Sequence, residues 1–340
     1  MKSHGIRLPE GIGARLAVAT VLMTLLLAAA VVVGLTVGSQ HVQFSELFRD
    51  SASHDLFFRI RLPRVTMALL TGASLAVAGA ALQALFRNPL ADPYTLGVSG
   101  GGALGASIAI ALGWTARVGG VPLLFAGSFA GALLSVVLVR AMARAGMFVM
   151  QGALLLSGVV VNLVCSAAVL TIQYVVDPNS ALQILRWILG SLDVIGFGTI
   201  WRMAVLLLPA WVAILAMSRQ LHLLAIDQDT AATLGVNVRR SETAVHLLCS
   251  LMVGVTVAVG GAIGFVGLIV PHAVRLMFGE DLRIVLPGSL LLGGAFLVLA
   301  DALARTVLPS GELPVGAITG LLGGPVFLWL LRRRQQYAVM

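Results

Sequence analysis

Nine long apolar runs with almost no charged side chains dominate this sequence. Because an ionised side chain in the bilayer core costs several kcal/mol, a charge-free run of about 20 residues predicts a helix that crosses a membrane. Only 11% of the 340 residues are charged and 59% are hydrophobic, which leaves too little polar surface for a water-soluble globule. We therefore expect an all-α integral membrane protein. The runs cover residues 16–40, 65–86, 94–113, 118–139, 149–175, 197–217, 243–274, 284–300 and 313–331.

The seventh run is too long for one crossing. Its 32 residues would form a helix of about 48 Å, against a hydrocarbon layer of about 30 Å. Four glycines occur within residues 260–267, and such a density favours an interruption over a continuous helix. We expect one helix to end at Gly260 and another to run from Ile263 to about Phe278, which gives ten transmembrane helices.

The distribution of Lys and Arg supports ten crossings. With a cytoplasmic N-terminus, ten crossings place 14 of the 22 basic residues inside and 8 outside, whereas nine crossings place 10 inside and 12 outside. Cytoplasmic loops carry the excess of basic residues in membrane proteins. We therefore expect a single membrane domain over residues 1–340, with cytoplasmic tails at 1–14 and 332–340. The net charge of +8 then reflects orientation, and no nucleic-acid partner is expected.

Two connections are long enough to hold structure of their own. On the outer side, residues 181–189 form one amphipathic stretch that ends at Gly190, and we expect this helix to lie along the membrane face. On the cytoplasmic side, the loop 219–242 contains residues 225–234, which predict a short helix that ends at Gly235. A cytoplasmic partner could bind this loop.

A Gly–Pro spacing occurs twice. Gly79 precedes Pro89 by ten residues, and Gly261 precedes Pro271 by the same interval. If the spacing marks a repeat, it relates the second span to the seventh and eighth. Five crossings separate these elements, so such a repeat would be inverted in the membrane, as in many transporters.

Arginines lie on the outer side, where basic residues are disfavoured. Arg61 and Arg64 flank Pro63, which suits the first turn of a helix, and Arg305 lies on the same side by the ten-span count. The arginines either bind lipid phosphate at a helix cap or dock an acidic partner outside the cell membrane. Arg202, near one end of the sixth run, can extend its side chain to the interface.

Several motifs together resemble the FecCD/BtuC-type permeases, and the resemblance covers residues 61–331. These permeases are the membrane subunits of bacterial binding-protein-dependent ABC importers for ferric siderophores, haem and cobalamin. Departures from the family pattern are Tyr94, where glycine is common, and Ala262, where proline is usual. The motifs are LPR at 62–64, LFRNPLADP at 85–93, LGVS at 96–99, GFVGLIVPH at 264–272 and ELPVG at 312–316.

The resemblance implies a BtuC-like fold that works as a homodimer in the bacterial inner membrane. It implies two cytoplasmic ATPase subunits and a periplasmic or lipid-anchored substrate-binding protein as partners. ATP and Mg would bind to the ATPase, and no cofactor to this chain. The sequence itself contains no Gly-x-x-x-x-Gly-Lys-Ser/Thr loop, which is the motif that holds nucleotide phosphates in such ATPases. We therefore expect a permease and not an enzyme.

The same resemblance implies roles for particular residues, in three groups. Arg61, Arg64 and Arg305 would dock the binding protein. The ATPase coupling site would contain Asp227, Asp229, Ala231, Leu234 and Gly235. The cytoplasmic gate would lie near Asn88, Leu90, Gln151 and Gly152, and the polar residues Gln83, Asn162 and Gln173 are candidates for the lining of the path.

Two other classes of function remain as alternatives. An ion-coupled carrier without an ATPase could use Asp301 and Glu312 as a proton-coupling pair, although an ion pair with Arg305 fits both positions better. An intramembrane enzyme would need a nucleophile and a base on one buried face, and none is evident. No metal site is expected, because His272 has no second His or carboxylate at helical spacing. For cargo we expect a ferric siderophore first, then cobalamin or haem.

Overall fold

The computed structural model describes residues 12–38, 51–114, 116–118, 121–145, 148–149, 151–308 and 311–338. Within these residues, seven helices are long and apolar enough to cross a membrane, and three shorter apolar helices bring the total to ten. The predicted all-α membrane fold with ten helices is therefore confirmed. The predicted N-terminal tail at 1–14 lies largely outside the described residues.

Fourteen α-helices occur in the described chain, together with short one-turn and hairpin elements. A π-helical segment, Leu56–Arg61, joins α2 to α3, and a 3-10 turn covers Pro93–Leu96. Two antiparallel hairpins pair β1 (Arg117–Val118) with β2 (Val121–Pro122) and β3 (Arg144–Ala145) with β4 (Phe148–Val149). The helices are α1 (Ile12–Thr36), α2 (Ser51–Asp55), α3 (Leu62–Leu85), α4 (Val98–Ala111), α5 (Leu123–Met142), α6 (Gln151–Val175), α7 (Pro178–Ile188), α8 (Gly198–Ala216), α9 (Ser218–Ile226), α10 (Gln228–Thr233), α11 (Val238–Gly260), α12 (Val266–Phe278), α13 (Leu282–Ala304) and α14 (Val315–Ala338).

Helix α3 lies at the centre of the bundle and is the most buried of the long apolar helices. It packs against α11, α12 and α13. Small residues make this possible, since a Cβ on Gly72 would overlap with the backbone of Gly293 in α13, and a Cβ on Gly79 would overlap with the carbonyl of Gly267 in α12. Close backbone approach through glycine is a common way for membrane helices to associate.

The break in the seventh run is confirmed, although the second helix begins later than predicted. Helix α11 ends at Gly260, Gly261 has φ +70°, and α12 begins at Val266 rather than at Ile263. The later start follows from Phe265, which precedes α12 with φ +68° and therefore lies outside the helical conformation. Residues 261–265 form an irregular connection.

An element pattern recurs in the two halves of the chain. The long helix α3 is followed by an irregular connection at 86–97 and the 14-residue α4, and the long helix α11 is followed by 261–265 and the 13-residue α12. The Gly–Pro spacing does not mark equivalent positions in this pattern. Gly79 lies inside α3 whereas Gly261 follows α11, and Pro89 lies in a connection whereas Pro271 lies inside α12.

Helix α7 and the α9–α10 pair define the two ends of the bundle. Gly260, the last residue of α11, lies beside Ser191 just after α7, and α11 begins after α10. The predicted amphipathic helix is confirmed as α7, which begins early because Asp177 caps it by accepting from the backbone N–H groups of Asn179 and Ser180. We call these ends the α7 end and the α10 end.

One prediction for the α10 end is corrected. The continuous helix predicted for 225–234 is wrong, because Asp227 has extended backbone (φ −160°, ψ 143°) and separates α9 from α10. The side chain of Asp227 then caps α10, which makes the break favourable. The predicted C-terminal tail at 332–340 is in part helical, since α14 continues to Ala338.

Candidate functional site

The two irregular connections meet inside the bundle. The hydroxyl of Tyr94 donates to the carbonyl of Ile263 and accepts from the N–H of Ile263, both at 2.9 Å. Tyr94 belongs to the α3–α4 connection and Ile263 to the α11–α12 connection. Non-helical backbone at membrane depth needs partners within the protein, and one phenol here satisfies both polar groups of Ile263. The two interruptions are therefore joined to each other.

Asn162 of α6 holds the first connection from the other side. Its amide nitrogen donates to the carbonyl of Tyr94 at 2.9 Å, and its amide oxygen accepts from the N–H of Gly100 at 3.0 Å. A Cβ on Gly100 would meet the same amide oxygen, so the glycine is what allows α6 to approach the start of α4. Asn162 therefore fixes both the 3-10 turn and the N-terminal turn of α4.

Gln83 makes the corresponding contacts with the second interruption. Its Nε2 donates to the carbonyl of Gly267 in α12 at 3.1 Å, and its Oε1 accepts from the Arg275 guanidinium. Gln83 is only 3% exposed. In this conformation Gln83 and Asn162, both candidates for the lining of a path, bind to helix ends inside one chain. The third candidate, Gln173, is half-buried near the end of α6.

Each connection contains one strained residue. Among the described non-glycine residues, Arg87 (φ 49°) and Phe265 (φ 68°) have left-handed backbone, a region that most residues avoid. Arg87 begins the α3–α4 connection, and Phe265 ends the α11–α12 connection. Phe265 also packs closely against Gly323 of α14. Strained backbone of this kind persists only where the surroundings hold it. The packing around each interruption therefore fixes its backbone conformation.

The residues predicted for a gate belong to two elements, with Asn88 and Leu90 in the first connection and Gln151 and Gly152 at the start of α6. Asn88 forms a local turn, since its Oδ1 accepts from the N–H of Leu90 at 3.0 Å. Gly152 is exposed in the first turn of α6, with no atom within 4 Å of the position of its missing Cβ. Gln151 begins α6, and its side chain lies outside the described part of the chain.

Helix α10 is held to the bundle through Asp227. The carboxylate accepts from the N–H and the hydroxyl of Thr230 at 2.8 and 2.9 Å, and these hydrogen bonds hold the pKa of Asp227 below its usual range. The guanidinium of Arg87 lies 3.9 Å from the same carboxylate. Asp227 therefore connects the α10 cap with the strained start of the α3–α4 connection.

The predicted coupling residues divide into exposed and buried ones. Leu234 is 62% exposed, and Asp229 and Gly235 are exposed beside it. Ala231 is completely buried against the rest of the chain, so in this conformation it packs inward. Sequence reasoning missed Ile226, which is 63% exposed at the end of α9. Next to Leu234 lies a cavity of about 560 Å³ with basic and amide side chains in its wall, among them Arg219, Gln220, Asn237 and Arg240.

The three predicted docking arginines do come together, at the α7 end. Arg64 donates from Nε to Asp301 Oδ1 at 2.9 Å and from Nη1 to Glu312 Oε2 at 2.6 Å. Arg305 Nε lies 3.0 Å from Asp301 Oδ2 and forms an ion pair with it. The Nε–H group itself donates to the backbone carbonyl of Asp301, at 3.4 Å. Arg61 lies beside Arg305, both near Gly38. We call these three arginines with Asp301 and Glu312 the arginine cluster.

The arginine cluster also caps α1. Arg305 donates to the carbonyls of Gly34 and Val37 at 2.9 and 3.0 Å, and Arg61 donates to that of Leu35 at 3.1 Å. Cations are stabilising at a helix C-terminus, where the last carbonyls lack partners within the helix. This contact explains why arginines occur in a region where basic residues are disfavoured.

Exposed acidic groups surround the buried arginines. The side chains of Arg64 and Arg305 are 10% and 5% exposed, whereas Glu312 is 36% exposed and Asp193, which lies 3.0 Å from Arg64, is 72% exposed. Asp193 was missed because it follows α7 in an irregular segment without a recognisable motif. Asp301 forms the expected ion pair with Arg305, whereas Glu312 pairs with Arg64 instead. Among the described residues, no group of three or more His, Cys, Asp or Glu side chains is arranged to hold a metal ion.

Comparisons with known proteins agree with this architecture. A model of the FecCD transport family matches residues 25–333. The hemin transport system permease HmuU of Yersinia pestis is 41% identical over 308 residues, which cover 88% of this chain and 91% of that protein. The vitamin B12 import permease BtuC of Citrobacter koseri is 38% identical over 315 residues, covering 92% and 94%. A solved inward-facing metal-chelate-type ABC transporter has a TM-score of 0.81 at 31% identity and covers 93% of this chain and 99% of its own.

Proposed function

Because this chain belongs to the FecCD transport family, we propose that it is the permease subunit of a binding-protein-dependent ABC importer in the bacterial inner membrane. The observation that carries the proposal is the combination of ten membrane helices with a short helix pair, α9–α10, that presents the exposed side chains of Ile226 and Leu234 at one end of the bundle. Energy then comes from a separate ATPase, and both chain termini lie on the cytoplasmic side with α10.

The α10 end is the site where the ATPase binds. Ile226 and Leu234 are 63% and 62% exposed at the two ends of a helix that lies outside the apolar spans. Exposed apolar side chains of this size mark partner sites, and Asp229 adds a charged group between them. The cavity of about 560 Å³ next to Leu234 is a concave surface into which a side chain of the ATPase can insert. Two copies of the permease would bind two ATPase subunits.

Movement of α10 would reach the membrane interior through the first connection. When the ATPases close on ATP, α10 shifts. The contact between Asp227 and Arg87 then moves the start of the 86–97 connection with it. Tyr94 at the other end of this connection is bonded to Ile263, so α4 and α12 move together. Such rigid-body displacement of packed helices is a common form of switching between outward and inward states.

The arginine cluster forms the docking site for the substrate-binding protein at the α7 end. Arg64 is the member nearest the surface groups, because its outer partners are the exposed carboxylates of Asp193 and Glu312. An acidic residue of the binding protein can replace either carboxylate without leaving Arg64 unpaired. Arg61 and Arg305, which are covered, then act by holding Arg64 and the end of α1 in place.

The docking proposal is tested by a matched pair of substitutions. Arg64→Gln removes the arginine that pairs with the exposed carboxylates, and Arg59→Gln removes an arginine that is 71% exposed at the same end but lies outside the cluster. Binding of the substrate-binding protein to the purified permease–ATPase complex is measured for both. Weakened binding for Arg64→Gln alone supports the proposal, and weakened binding for Arg59→Gln alone refutes it.

For the cargo we propose a bulky metal chelate, with a ferric siderophore first and haem or cobalamin next. The relatives are named for hemin and vitamin B12, and the solved neighbour for metal chelates. The candidate path residues Asn88, Gln151, Asn162 and Gln173 carry no charge, and an uncharged path suits a ligand that must be released rather than held.

The decisive experiment is transport by reconstituted complexes. Proteoliposomes that contain the permease, its ATPase and its binding protein are supplied with each candidate cargo in turn. Uptake that requires both ATP and the binding protein is expected, together with stimulation of ATP hydrolysis by the correct loaded binding protein. Uptake by the permease alone under a proton or sodium gradient would instead establish the ion-coupled carrier.

A further inference from the structure

A narrow cleft lies between α5, α8 and α11. Its volume is about 260 Å³, and its walls are almost entirely apolar side chains. On α8, the neighbouring Trp201 and Val205 are 72% and 56% exposed. Because these helices cross a membrane, such surface contacts hydrocarbon rather than water, so the cleft borders lipid. The apolar residues in its walls include Phe125, Phe129, Met203, Leu206, Val255 and Val259.

Polar groups in the cleft wall are concentrated where α8 begins. Thr199 and Arg202 lie in the first turns of this helix, which starts at Gly198. Arg202 Nη2 lies 3.8 Å from the position of a Cβ built on Gly198, so the guanidinium is turned back toward the start of the helix. Arginines near helix ends extend to the membrane interface in this way. Among the described residues of the cleft wall, Arg202 carries the only charge.

We propose that the cleft binds one phospholipid of the surrounding bilayer, with an acyl chain between the three helices and the phosphate on Arg202. An empty apolar cleft forfeits dispersion contacts along its walls, and a hydrocarbon chain from the adjacent leaflet restores them. The planar guanidinium matches phosphate oxygens. Trp201, next in sequence to Arg202, suits the headgroup level at which tryptophan is enriched.

Location separates this site from the ATPase and binding-protein sites. The cleft lies between α5, α8 and α11, whereas the exposed Ile226 and Leu234 flank α10 and the arginine cluster joins α1, α3 and α13. A lipid in the cleft would hold the three helices together without entering the proposed path. The proposal therefore stands or fails independently of the cargo and of the ATPase.

The test is native mass spectrometry of the full-length protein in detergent, titrated with palmitoyl-oleoyl phosphatidylglycerol. We expect one lipid per chain to remain at detergent concentrations that remove the others. Ala126→Phe places a ring in the cleft from an exposed position on α5, and the retained lipid is expected to be lost. Arg202→Gln keeps the cleft and is expected to weaken retention about tenfold or more.

Two further variants complete the experiment. Arg117→Gln removes an exposed arginine of the β1–β2 hairpin that does not line the cleft, and lipid retention is expected to stay at the wild-type level. Ala126→Leu serves as a smaller replacement if the phenylalanine variant does not fold. The proposal is overturned if the wild type retains no lipid or if the cleft-filling variants retain it undiminished. A change of oligomeric state in those variants with lipid retention unaltered would assign the cleft to a second copy of the chain and likewise overturn it.

Discussion

The hydroxyl of Tyr94 and the backbone of Ile263 form two hydrogen bonds, one in each direction, between segments 169 residues apart in sequence. The phenol therefore acts as a bridge between the two interrupted halves of the bundle.

Removal of this hydroxyl is expected to destabilise the protein. Tyr94→Phe leaves the N–H and the carbonyl of Ile263 without their partner in a region shielded from water, which costs about 1–3 kcal/mol for an unsatisfied buried group. The free energy of unfolding in mixed micelles measures the loss. Tyr174→Phe is the matched control, since Tyr174 is 92% exposed and the same change there is expected to have little effect. Equal stability of the two variants would contradict the bridging role.

The central carboxylate of the arginine cluster should be far more sensitive than the outer one. Asp301 is completely buried between Arg64 and Arg305. Asp301→Asn takes the carboxylate away from the buried Arg305 and leaves Arg64 with its outer carboxylates alone, and breaking a buried ion pair typically costs about 3–5 kcal/mol. Asp193→Asn removes a carboxylate that is 72% exposed, for which about 1 kcal/mol or less is expected. Chemical denaturation of both variants compares them, and a smaller effect for Asp301→Asn would refute the assignment.

The contact between α3 and α12 depends on a missing side chain. Gly79→Ala places a methyl group against the carbonyl of Gly267, so the helices must separate and lose the Gln83–Gly267 hydrogen bond. We expect a lower unfolding temperature and reduced transport. Gly320→Ala in α14 is the control, because no atom lies within 4 Å of the added group. If both variants behave alike, close packing at Gly79 does not matter for the fold.

The cap of α10 can be separated from its charge. Asp227→Ala removes the acceptor for the N–H and hydroxyl of Thr230, whereas Asp227→Asn keeps a good capping group but loses the negative charge beside Arg87. We expect the alanine variant to lose ATPase coupling, and the asparagine variant, which keeps the cap but weakens the contact with Arg87, to lose part of it. ATP hydrolysis stimulated by the loaded binding protein measures coupling, and comparable loss in both variants would show that the charge is what matters.

The Asp281 cap at the start of α13 should weaken only when the pH falls into the range where this carboxylate is protonated. Hydrogen bonds from Arg283 hold the pKa of Asp281 below its usual value. A lowered pKa in the folded state stabilises the protein above the unfolded value of about 4, and this stability is lost as the pH falls through the folded pKa. Unfolding midpoints between pH 6 and about 3 should therefore fall less steeply for Asp281→Asn than for the wild type. Identical slopes would contradict this role.

The spans, the break after Gly260 and helix α7 were predictable because each follows from a local property of the sequence. A bilayer requires apolar runs of fixed length, and glycine density marks an interruption. The break at Asp227 was missed although the signal was present, since Asp is a preferred cap residue, whereas residues 225–234 were interpreted as one helix that ends at Gly235.

The contacts that define the candidate site could not be predicted in this way. Tyr94 stood out only as a departure from the family pattern, and nothing near it in sequence indicates Ile263 as its partner. Arg61, Arg64 and Arg305 were correctly placed at one end of the bundle by charge distribution. Their bonds to Asp301 and to the carbonyls of α1 depend on packing between distant helices, which periodicity does not encode.

The capping of α1 by Arg305 bears on how the protein is made. Helix α1 precedes α13 by more than 200 residues in the chain, yet it packs mainly against α13, and the carbonyls of Gly34 and Val37 find their donor only when residue 305 has been synthesised. Until then these two carbonyls of α1 lack their arginine donor. A nascent chain that stops before residue 305 therefore lacks the side chain that binds these two carbonyls, and the C-terminal end of α1 is completed only late in synthesis.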